Sequence, residues 1–386
     1  MNSLVSSNRA NFDGWHVTGS CPRIMAVNRF ASARPLRLGF IAMTDAAPIL
    51  LAQELGCFRR RGLRVELRRE VGWATIRDKV LYGELDGAHA PGPMVWATKL
   101  GLGCAPSDVC SPLVLNLHGN AITLSNRLRE LGVRDAATLR EEALRRRGEN
   151  RLMFGIVFPH SMHHVLLRRW LLDARLDPER DVRIAVVPPA QMFRNLVAGT
   201  LDGYCVGDPW NSLAVQQNQG WCPAWSVAQS PGHVEKVFMM REDFLERHAT
   251  VTASLVAAIA EAAAWCDEPE NRRDLARVLA APACLNLSAE ALEPALLGRF
   301  SPLPGVVEPV PDFIVFSRRD AGAPTAERAG SLQNDLVAAG LVPPSLLTPG
   351  LPRRLFREDV FRQATANLDP HACRQLKLPE GTFASA

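Results

Sequence analysis

The stretch GTLDGYCVGDPW (residues 199–210) repeats, with substitutions, the earlier stretch GELDGAHAPGPM (residues 83–94). The residues shared in register are Gly83/Gly199, Leu85/Leu201, Asp86/Asp202, Gly87/Gly203 and Pro93/Pro209. In each copy a helical pattern precedes the Asp-Gly turn, a short apolar run follows it, and a proline stands near the start of another helical pattern. Each copy therefore predicts helix, turn, buried strand and helix, which is a unit of an α/β fold.

A strand that leads directly into a helix places the N-terminal N–H groups of that helix at the carboxyl edge of the sheet. Ligands of open α/β sheets bind at this edge, and the helix dipole favours anions there. Two copies of the unit predict two similar lobes, each of which contributes one such turn to a shared cleft.

The order of apolar strands and amphipathic helices gives the predicted domain boundaries. Two apolar runs flank His118-Gly119-Asn120, where the chain is expected to cross between lobes, and the strand and helix of KVFMMREDFLERH return it to the first lobe. Two crossings imply a hinge and a closing cleft. The predicted segments are a flexible N-terminal arm (residues 1–34), lobe 1 (35–118 and 226–310), lobe 2 (119–225) and a C-terminal helical extension packing on lobe 1 (311–386).

The composition is that of a soluble globular protein with more than one core. The chain has 386 residues, of which 47% are hydrophobic and 22% charged, with a net charge of +4. Its basic residues are dispersed, so no direct binding of nucleic acid is expected. The longest apolar stretch, VTASLVAAIAEAAAW, is interrupted by polar residues and shorter than the ~20 residues of a membrane span, so no transmembrane segment is expected.

Cysteine usage and the start of the chain both predict a cytoplasmic location. The nine cysteines are an odd number, stand isolated and form no CxxC pair, whereas secreted proteins seldom leave many thiols unpaired. The first residues contain no basic segment followed by a continuous apolar one, as a standard signal peptide would.

Seven blocks of sequence, in order, give the chain a family resemblance between about Arg37 and Ala364. They include GWATIRDKVLYGELDGAHAPGPM, LHGNAITLS, FPHSMHHVLLRRWLLDA, VVPPAQMFRNLVAGTLDGYCVGDPWN, GHVEKVFMMREDF and LFREDVFRQA. Together they resemble the nitrate- and bicarbonate-binding proteins of ABC transporters and their cytosolic sensor relatives. The resemblance implies an α/β, two-lobed type II periplasmic-binding-protein-like fold with a hinge, an inter-lobe ligand cleft and extra C-terminal helices.

The resemblance also implies a function in nitrate assimilation. The expected ligand is a small oxyanion, nitrate or nitrite, and the expected role is that of a cytosolic sensor that controls an RNA-binding antitermination regulator. The alternative is the substrate-binding subunit of a nitrate or bicarbonate ABC transporter, which would deliver its ligand to a membrane permease. No cofactor is expected in either case.

Five residues match the ligand-binding positions of this family. Nitrate is planar and a weak acceptor, so a buried site needs several N–H donors in its plane and one nearby cation. The resemblance assigns the indole of Trp73, the amide of Asn120, a ring N–H of His163 and the backbone N–H of Gly207 as donors. It assigns Lys236 as the cation.

Four of these residues also have a purely structural interpretation. Trp73 is equally suited to core packing, Asn120 to a hinge turn, Gly207 to the turn before the next helix, and Lys236 to the surface. Lys236 favours nitrate, since bicarbonate carries a proton and benefits from a carboxylate. Glu235 would supply that carboxylate if the register were shifted by one residue.

The motif HSMHH raises two further possibilities. His160, His163 and His164 have a spacing compatible with zinc, but no carboxylate or cysteine follows within reach, and Pro159 is expected to keep His160 outside the helix. No metal is therefore predicted, although His160 could make the affinity sensitive to pH. Histidine-consuming pyrimidine-precursor synthases share the fold class, but the sequence contains no nucleophile elbow, P-loop, GxGxxG or HExxH, so no enzymatic activity is expected.

Overall fold

A computed structural model describes residues 34–146, 148–380 and 382. The N-terminal arm predicted for residues 1–34 lies, apart from Arg34, outside the described residues. The strands are β1 Leu36–Ile41, β2 Val65–Glu70, β3 Gly87–Pro91, β4 Val109–Cys110, β5 Val114–His118, β6 Asn120–Ser125, β7 Leu152–Ile156, β8 Val182–Val186, β9 Gly203–Gly207, β10 Gly220–Trp225, β11 Val234–Arg241, β12 Arg299–Leu303, β13 Val306–Pro309 and β14 Ile314–Val315.

The helices alternate with these strands in the first two thirds of the described chain and dominate the last third. They are α1 Ala47–Glu54, α2 Cys57–Arg60, α3 Trp73–Leu81, α4 Gly92–Leu100, α5 Asn126–Glu130, α6 Ala136–Arg145, α7 Met162–Asp173, α8 Pro189–Val197, α9 Trp210–Gln216, α10 Ser226–Gln229, α11 Glu242–Arg247, α12 Ala249–Asp267, α13 Arg272–Ala280, α14 Ala289–Leu296, α15 Ala326–Ala338, α16 Leu351–Leu355, α17 Glu358–Thr365 and α18 Pro370–Arg374. Short 3-10 turns span Thr44–Ala46, Gly148–Asn150, Pro269–Asn271, Arg318–Asp320 and Pro344–Leu346.

The strands form two mixed sheets of similar design and one small hairpin. The first sheet has the order β14-β5-β11-β3-β1-β2, with β4 also on β11, and the second has the order β10-β6-β9-β7-β8. In each sheet a central strand has parallel neighbours on both sides, β1 between β2 and β3 in the first and β7 between β8 and β9 in the second. One antiparallel strand then pairs with the last of the three, β11 with β3 and β6 with β9.

The chain passes between the two sheets at two neighbouring points. β5 of the first sheet ends at His118 and β6 of the second begins at Asn120, with both His118 (φ 62°) and Gly119 (φ 93°) in the left-handed region. The return runs through α10 into β11. The Gly232 N–H donates to Nε2 of His118 at 2.6 Å, so the two crossing segments are tied together.

The repeated Asp-Gly turns perform the same structural task in each sheet. Asp86 exchanges two hydrogen bonds with the backbone of Arg37 at the start of β1: its carboxylate accepts from the Arg37 N–H at 2.8 Å, and its own N–H donates to the Arg37 carbonyl at 2.8 Å. Asp202 does the same with Met153 in β7, at 2.9 and 2.8 Å. Each aspartate thus aligns one strand with the next and satisfies a backbone donor that a strand end would leave unpaired.

The leucine before each aspartate packs over a glycine of the neighbouring strand. A Cβ placed on Gly39 would lie 2.4 Å from Cδ1 of Leu85, and one on Gly155 would lie 2.9 Å from Cδ1 of Leu201. Both distances are shorter than ordinary Cβ contacts, so a side chain at either position would force the neighbouring leucine to move. The repeat in the sequence is therefore a repeat of strand–helix packing in two sheets.

Gly56 and a Pro-rich region give the fold two local features. The stretch from Ala47 to Arg60 is divided into α1 and α2 because Gly56 adopts φ 69°, which interrupts the helical backbone. The Pro-rich region FSPLPGVVEPVPDF contains the antiparallel hairpin of β12 and β13. Proline is tolerated in such short edge strands because each offers one side to solvent.

Helix α12 is the one described helix whose length and apolar composition would suit a membrane span. It has 19 residues, and two thirds of its most apolar window is buried within the protein. It packs against α1, α2, α17 and α18, and Nε1 of Trp265 donates to the Leu376 carbonyl at 2.9 Å. Its apolar surface is thus used as a core element of the fold.

The segment from residue 311 onward, predicted as a helical extension on lobe 1, contacts both parts of the structure. It contributes β14 to the first sheet. Helix α15 packs on α4, where Nε1 of Trp96 donates to Gln333 at 3.3 Å. On its other side Asp335 accepts from Arg169 of α7 at 2.7 Å, so this helix joins the layers around the two sheets.

We expect Asp202→Asn to lower the free energy of unfolding by about 1.5–3 kcal/mol, the usual range for hydrogen bonds to a charged group. The carboxylate accepts from the Met153 N–H and from the guanidinium of Arg127 at 2.8 Å. Urea unfolding followed by circular dichroism measures the change. The exposed Asp173→Asn is the matched control, with an expected change within about 0.5 kcal/mol. Equal effects of the two substitutions would contradict the role assigned to the repeated aspartate.

Candidate functional site

The five residues predicted to bind an anion lie together between the two sheets, and all are buried. Trp73 begins α3 and Lys236 lies on β11, both in the layer of the first sheet. Asn120 begins β6, His163 is the second residue of α7 and Gly207 ends β9, all in the layer of the second sheet. Lys236, Asn120 and His163 are 0% exposed and Trp73 is 1% exposed.

Lys236 is held between two carboxylates. Its Nζ lies 2.7 Å from Oδ2 of Asp45, in the 3-10 turn that follows β1, and 2.7 Å from Oε1 of Glu235. Both carboxylates are buried. The lysine assigned as the cation for the ligand is therefore already engaged in two ion pairs.

A β-bulge explains why adjacent residues of one strand point to the same place. Along β11, Val234 pairs with Leu117 and Lys236 with Asn116, so two steps on β11 correspond to one step on β5. Glu235 is the extra residue. In a regular strand Glu235 and Lys236 would face opposite sides of the sheet, and the bulge removes that alternation.

Glu235 is the centre of the contacts between the two layers. It accepts a hydrogen bond from Nδ2 of Asn120. Nε2 of His163 lies 3.5 Å from its Oε1, and Nε2 of His233 lies 3.4 Å from its Oε2. Asn120 thus keeps its predicted place in the site, but its amide donor contacts a carboxylate of the protein.

Asp45 organises the other side of the cluster. Nε2 of His89, on β3, lies 2.9 Å from Oδ1 of Asp45. The rings of His89 and Trp73 meet edge to face with 5.0 Å between centroids, and Nζ of Lys236 lies 5.5 Å from the Trp73 ring centroid. Trp73 therefore closes the cluster as an aromatic wall with a cation over it.

Gly207 allows a close approach of the second sheet to this cluster. A Cβ at Gly207 would lie 2.5 Å from Cε of Met43 and 3.2 Å from both Oδ1 of Asn120 and Oδ2 of Asp45. The Asp208 N–H donates to the Gly119 carbonyl at 3.0 Å, which marks Asn120 and Gly207 as a pair without mutual hydrogen bonds. The Gly207 N–H is therefore not used in the ladder with β6.

The charges of Asp45, Glu235 and Lys236 stabilise one another in the buried cluster. Burial opposes the ionisation of Asp45 and Glu235, but the Lys236 ammonium and the histidines and hydrogen bonds around each carboxylate together outweigh it and hold the pKa of both carboxyls below their usual values. Burial likewise opposes the charge of Lys236, but the two carboxylates raise its pKa. At neutral pH the cluster contains one ammonium and two carboxylates, which leaves one net negative charge.

Two histidines of the cluster, His163 and His89, are neutral at pH 7. Burial lowers the pKa of His163 to about 4, although the Glu235 carboxylate acts in the opposite direction. Burial lowers the pKa of His89 as well, against the effect of Asp45. Next to Gly207, burial raises the pKa of Asp208 to about 7, in spite of the hydrogen bonds it accepts from Ser212.

Several polar atoms in this cluster are buried without a hydrogen-bond partner among the described residues. They are Nε1 of Trp73, Nδ1 and Nε2 of His163, Oδ1 of Asn120 and Nε2 of His233. A buried polar atom without a partner costs about 1–3 kcal/mol, so such atoms are ordinarily satisfied by water or a ligand. Unpartnered polar atoms from both layers are therefore collected in one buried cluster, where a small polar ligand would satisfy them.

The histidines of HSMHH do not form a metal site. Helix α7 begins at Met162 with Ser161 as its N-cap, so His160 lies outside it, and Nδ1 of His164 lies 2.7 Å from the Pro159 carbonyl. Within the described residues, no group of three or more histidine, cysteine, aspartate or glutamate side chains could hold a metal ion.

Four residues of the cluster, Asp45, His89, His233 and Glu235, were missed or only partly recognised from the sequence. Asp45 and His89 are isolated polar residues within or next to apolar strands, and no spacing in the sequence links them to Lys236. Glu235 was considered an alternative to Lys236, whereas the bulge brings both into the site. For Asp45 the available signal was its position directly after β1, at the carboxyl edge of the sheet.

A cleft of about 570 Å³ opens between the same two layers, and none of the five predicted residues lines it. Ile41 and Arg69, at the carboxyl ends of β1 and β2, line one side, and Phe193 of α8 and Trp210 of α9 line the other. Buried polar donors contributed by two mixed α/β layers across a cleft define the class of two-lobed solute-binding proteins.

The chain belongs to the NMT1-like family, whose sequence profile matches residues 31–280. It is 34% identical over 369 residues to the nitrate import ATP-binding protein NrtC of Synechocystis, which covers 93% of this chain and 54% of that protein. It is 39% identical over 246 residues to the bicarbonate transport ATP-binding protein CmpC of Synechococcus elongatus, covering 63% of this chain and 37% of that one. The chain thus spans about half or less of the length of these relatives.

The crystal structure of the periplasmic nitrate-binding protein NrtA from Synechocystis has the same fold. It superposes with a TM-score of 0.83 at 28% sequence identity, covering 90% of this chain and 91% of that one. The predicted α/β periplasmic-binding-protein fold is confirmed. The chain is homologous to the nitrate- and bicarbonate-binding domains of the ABC transporter family, as the sequence blocks indicated.

We expect Lys236→Met to destabilise the protein by about 3–5 kcal/mol at pH 8, because the substitution leaves two buried carboxylates uncompensated. The loss should be smaller at pH 5, since the pKa values of Asp45 and Glu235 rise in the variant and protonation removes their charges. Thermal unfolding at both pH values measures this difference. The exposed Lys377→Met is the control. A loss that is the same at both pH values would argue against the paired-charge description.

The pKa of His163 also predicts how stability depends on pH. Because the folded-state pKa is about 4, below the ordinary value of about 6.5, the unfolded chain binds more protons between these values and stability falls as the pH falls from 6.5 to 4. His163→Gln should make this fall shallower, whereas the exposed His371→Gln should not change it. Calorimetric unfolding without added anions tests this expectation, and identical slopes for the two variants would refute it.

Proposed function

We propose that the chain binds nitrate or nitrite in the buried cluster between its two layers and acts as the substrate-binding domain of an ABC-type anion import system. The observation that carries the proposal is the set of unpartnered polar atoms around Lys236. Trp73 supplies an indole N–H from one layer and His163 an imidazole from the other.

The chemistry of these donors suits a planar oxyanion. The indole N–H of Trp73 can donate but not accept, so it selects an acceptor ligand. His163 stands in the first turn of α7, where unpaired N–H groups and the helix dipole favour an anion. The Gly207 N–H, unused in the ladder with β6, is a third donor. Nitrate and nitrite are small enough to be enclosed by these groups.

The proposed role in transport rests on the functions given in the names of two related proteins. NrtC and CmpC are ATP-binding proteins for nitrate import and bicarbonate transport, and this chain matches about half or less of each. The chain would correspond to the part of such a protein that recognises the anion. Closure of the two layers over the ligand would then report its presence to the transporter.

A cytosolic sensor that controls an antitermination regulator is the second candidate. The observation in its favour is that the eight cysteines of the described residues are all free, which suits a reducing compartment. Burial raises the pKa of Cys110 and Cys222 to about 12, so these thiols are unreactive packing groups. The cytosolic location and the antitermination regulator are thus parts of this second candidate function.

Isothermal titration calorimetry with nitrate, nitrite and bicarbonate tests ligand binding. We expect Trp73→Phe to weaken nitrate binding about 10–100-fold, because it removes one hydrogen bond to a charged ligand and keeps the aromatic wall. Trp221→Phe is the matched control, since Nε1 of Trp221 is also buried without a hydrogen-bond partner among the described residues. Trp221 pairs with Leu124 in the second sheet, four residues along β6 from Asn120. Equal losses, or no loss at Trp73, would exclude the assigned site.

The role is tested by isolating the full chain from its own cells with and without nitrate. Recovery with a permease and an ATPase supports the import system. A nitrate-dependent loss of an RNA-binding protein from the complex supports the sensor. Binding of bicarbonate without nitrate or nitrite would contradict the proposed ligand in either role.

A further inference from the structure

We propose that an anion without a proton of its own enters this site together with one proton, which is held by the ring of His163. This inference deepens the proposed function and rests on it. It arises from a mismatch between the charge of the ligand and that of the site. The site was expected to offer a free cation, yet the structure surrounds that cation with carboxylates.

The net charge of the site follows from the groups that contact Lys236. Its ammonium lies 2.7 Å from a carboxylate oxygen of Asp45 and 2.7 Å from one of Glu235, and all three groups are buried. One positive and two negative charges leave the site with one negative charge in the absence of ligand. Asp208, buried beside Gly207, adds negative charge whenever it is ionised.

Adding nitrate to this site would place a second negative charge in a region that excludes water. Charges of like sign in a poorly solvated environment repel strongly, and buried charges are ordinarily compensated within the site. Uptake of one proton restores the charge that the site had before the anion entered. Proton uptake is therefore the simplest way for this cluster to accept a monovalent anion.

The geometry assigns the proton to His163. Its two ring nitrogens have no hydrogen-bond partner among the described residues, and Nε2 lies 3.5 Å from Oε1 of Glu235. As an imidazolium the ring would donate one N–H to Glu235 and direct the other towards the anion. It would then lie between two negative groups, which is the arrangement that stabilises the protonated form.

The other titratable groups near His163 are less suited to hold the proton. Those that face it are Glu235 and Lys236 on β11, Asp45 in the turn after β1 and His233 before β11. Protonating Asp45 or Glu235 would break an ion pair with Lys236. His89 already faces Asp45 from β3, and Asp208 is occupied by hydrogen bonds from Ser212. His233 also faces Glu235, with Nε2 3.4 Å from Oε2, but its Nδ1 lies 2.9 Å from the Ser230 carbonyl, so it has no second N–H to direct towards the anion.

The balance of the step is simple. Free site, one anion and one solvent proton give a bound complex in which one N–H bond has formed on the imidazole. No other covalent bond changes, and no electrons are transferred. Glu235 imposes the requirement, because without its charge Lys236 and Asp45 would form a neutral pair and an anion could enter alone.

Nitrate is the probe for the test, because it does not itself titrate near neutral pH. Calorimetric titrations of the full chain at pH 7 in several buffers of different ionisation enthalpy give the number of protons taken up. We expect about one proton per nitrate and an affinity that falls about tenfold for each pH unit between pH 5.5 and 7.5.

Two variants separate the groups. Glu235→Gln should bind nitrate with almost no proton uptake and with an affinity that hardly changes with pH, because the free site is then neutral. Asp208→Asn should retain uptake by His163. His163→Gln should lose the uptake and bind more weakly, and circular dichroism and thermal unfolding establish that each variant is folded.

The outcomes distinguish the two proposals. Nitrate binding by the unmodified chain without proton uptake and with constant affinity overturns the proton coupling and leaves the proposed function intact. Proton uptake that is abolished by Asp208→Asn and kept by His163→Gln overturns the assignment to His163. No binding of nitrate, nitrite or bicarbonate at any pH from 5.5 to 8.5 refutes the proposed function itself.

Discussion

The compensation of charge around Lys236 is the constraint on which the site depends. A buried ammonium is tolerated only with paired carboxylates, and here the two partners come from different parts of the chain, Asp45 after β1 and Glu235 within β11. The first can reach Lys236 because β1 and β11 flank β3 in the same sheet. The second reaches it because of a bulge.

The same ion cluster joins the two layers of the protein. Glu235 of the first layer contacts Asn120 and His163 of the second, and the Thr44 N–H donates to the Asp208 carbonyl at 3.0 Å. A ligand that adds hydrogen bonds on both sides would favour the arrangement in which the layers are close. Its binding would thereby be linked to the relative position of the layers, which is the requirement for a conformational signal.

The two copies of the Asp-Gly unit share one structural role but contribute different residues to the site. Asp86 and Asp202 hold adjacent parallel strands in the same way, which explains why both turns are retained. The positions that follow have diverged. In the first copy His89 joins the ion cluster, whereas the second has Cys205 in the equivalent place and contributes Gly207, whose missing side chain leaves room next to Asp45. The shared scaffold thus carries different chemistry on each side of the site.

By itself the sequence determined the α/β class of the fold and the crossing near Gly119, because strand–helix order is a property of neighbouring residues, and its resemblance to a known family assigned the five residues that the structure brings together. It did not determine the charge of the site. The partners of Lys236 depend on strand order, which places Asp45 and His89 beside it, and on one extra residue in β11, which turns Glu235 to the same side. Such contacts join residues far apart in the chain and alter the alternation of a strand, so only the tertiary structure decided them.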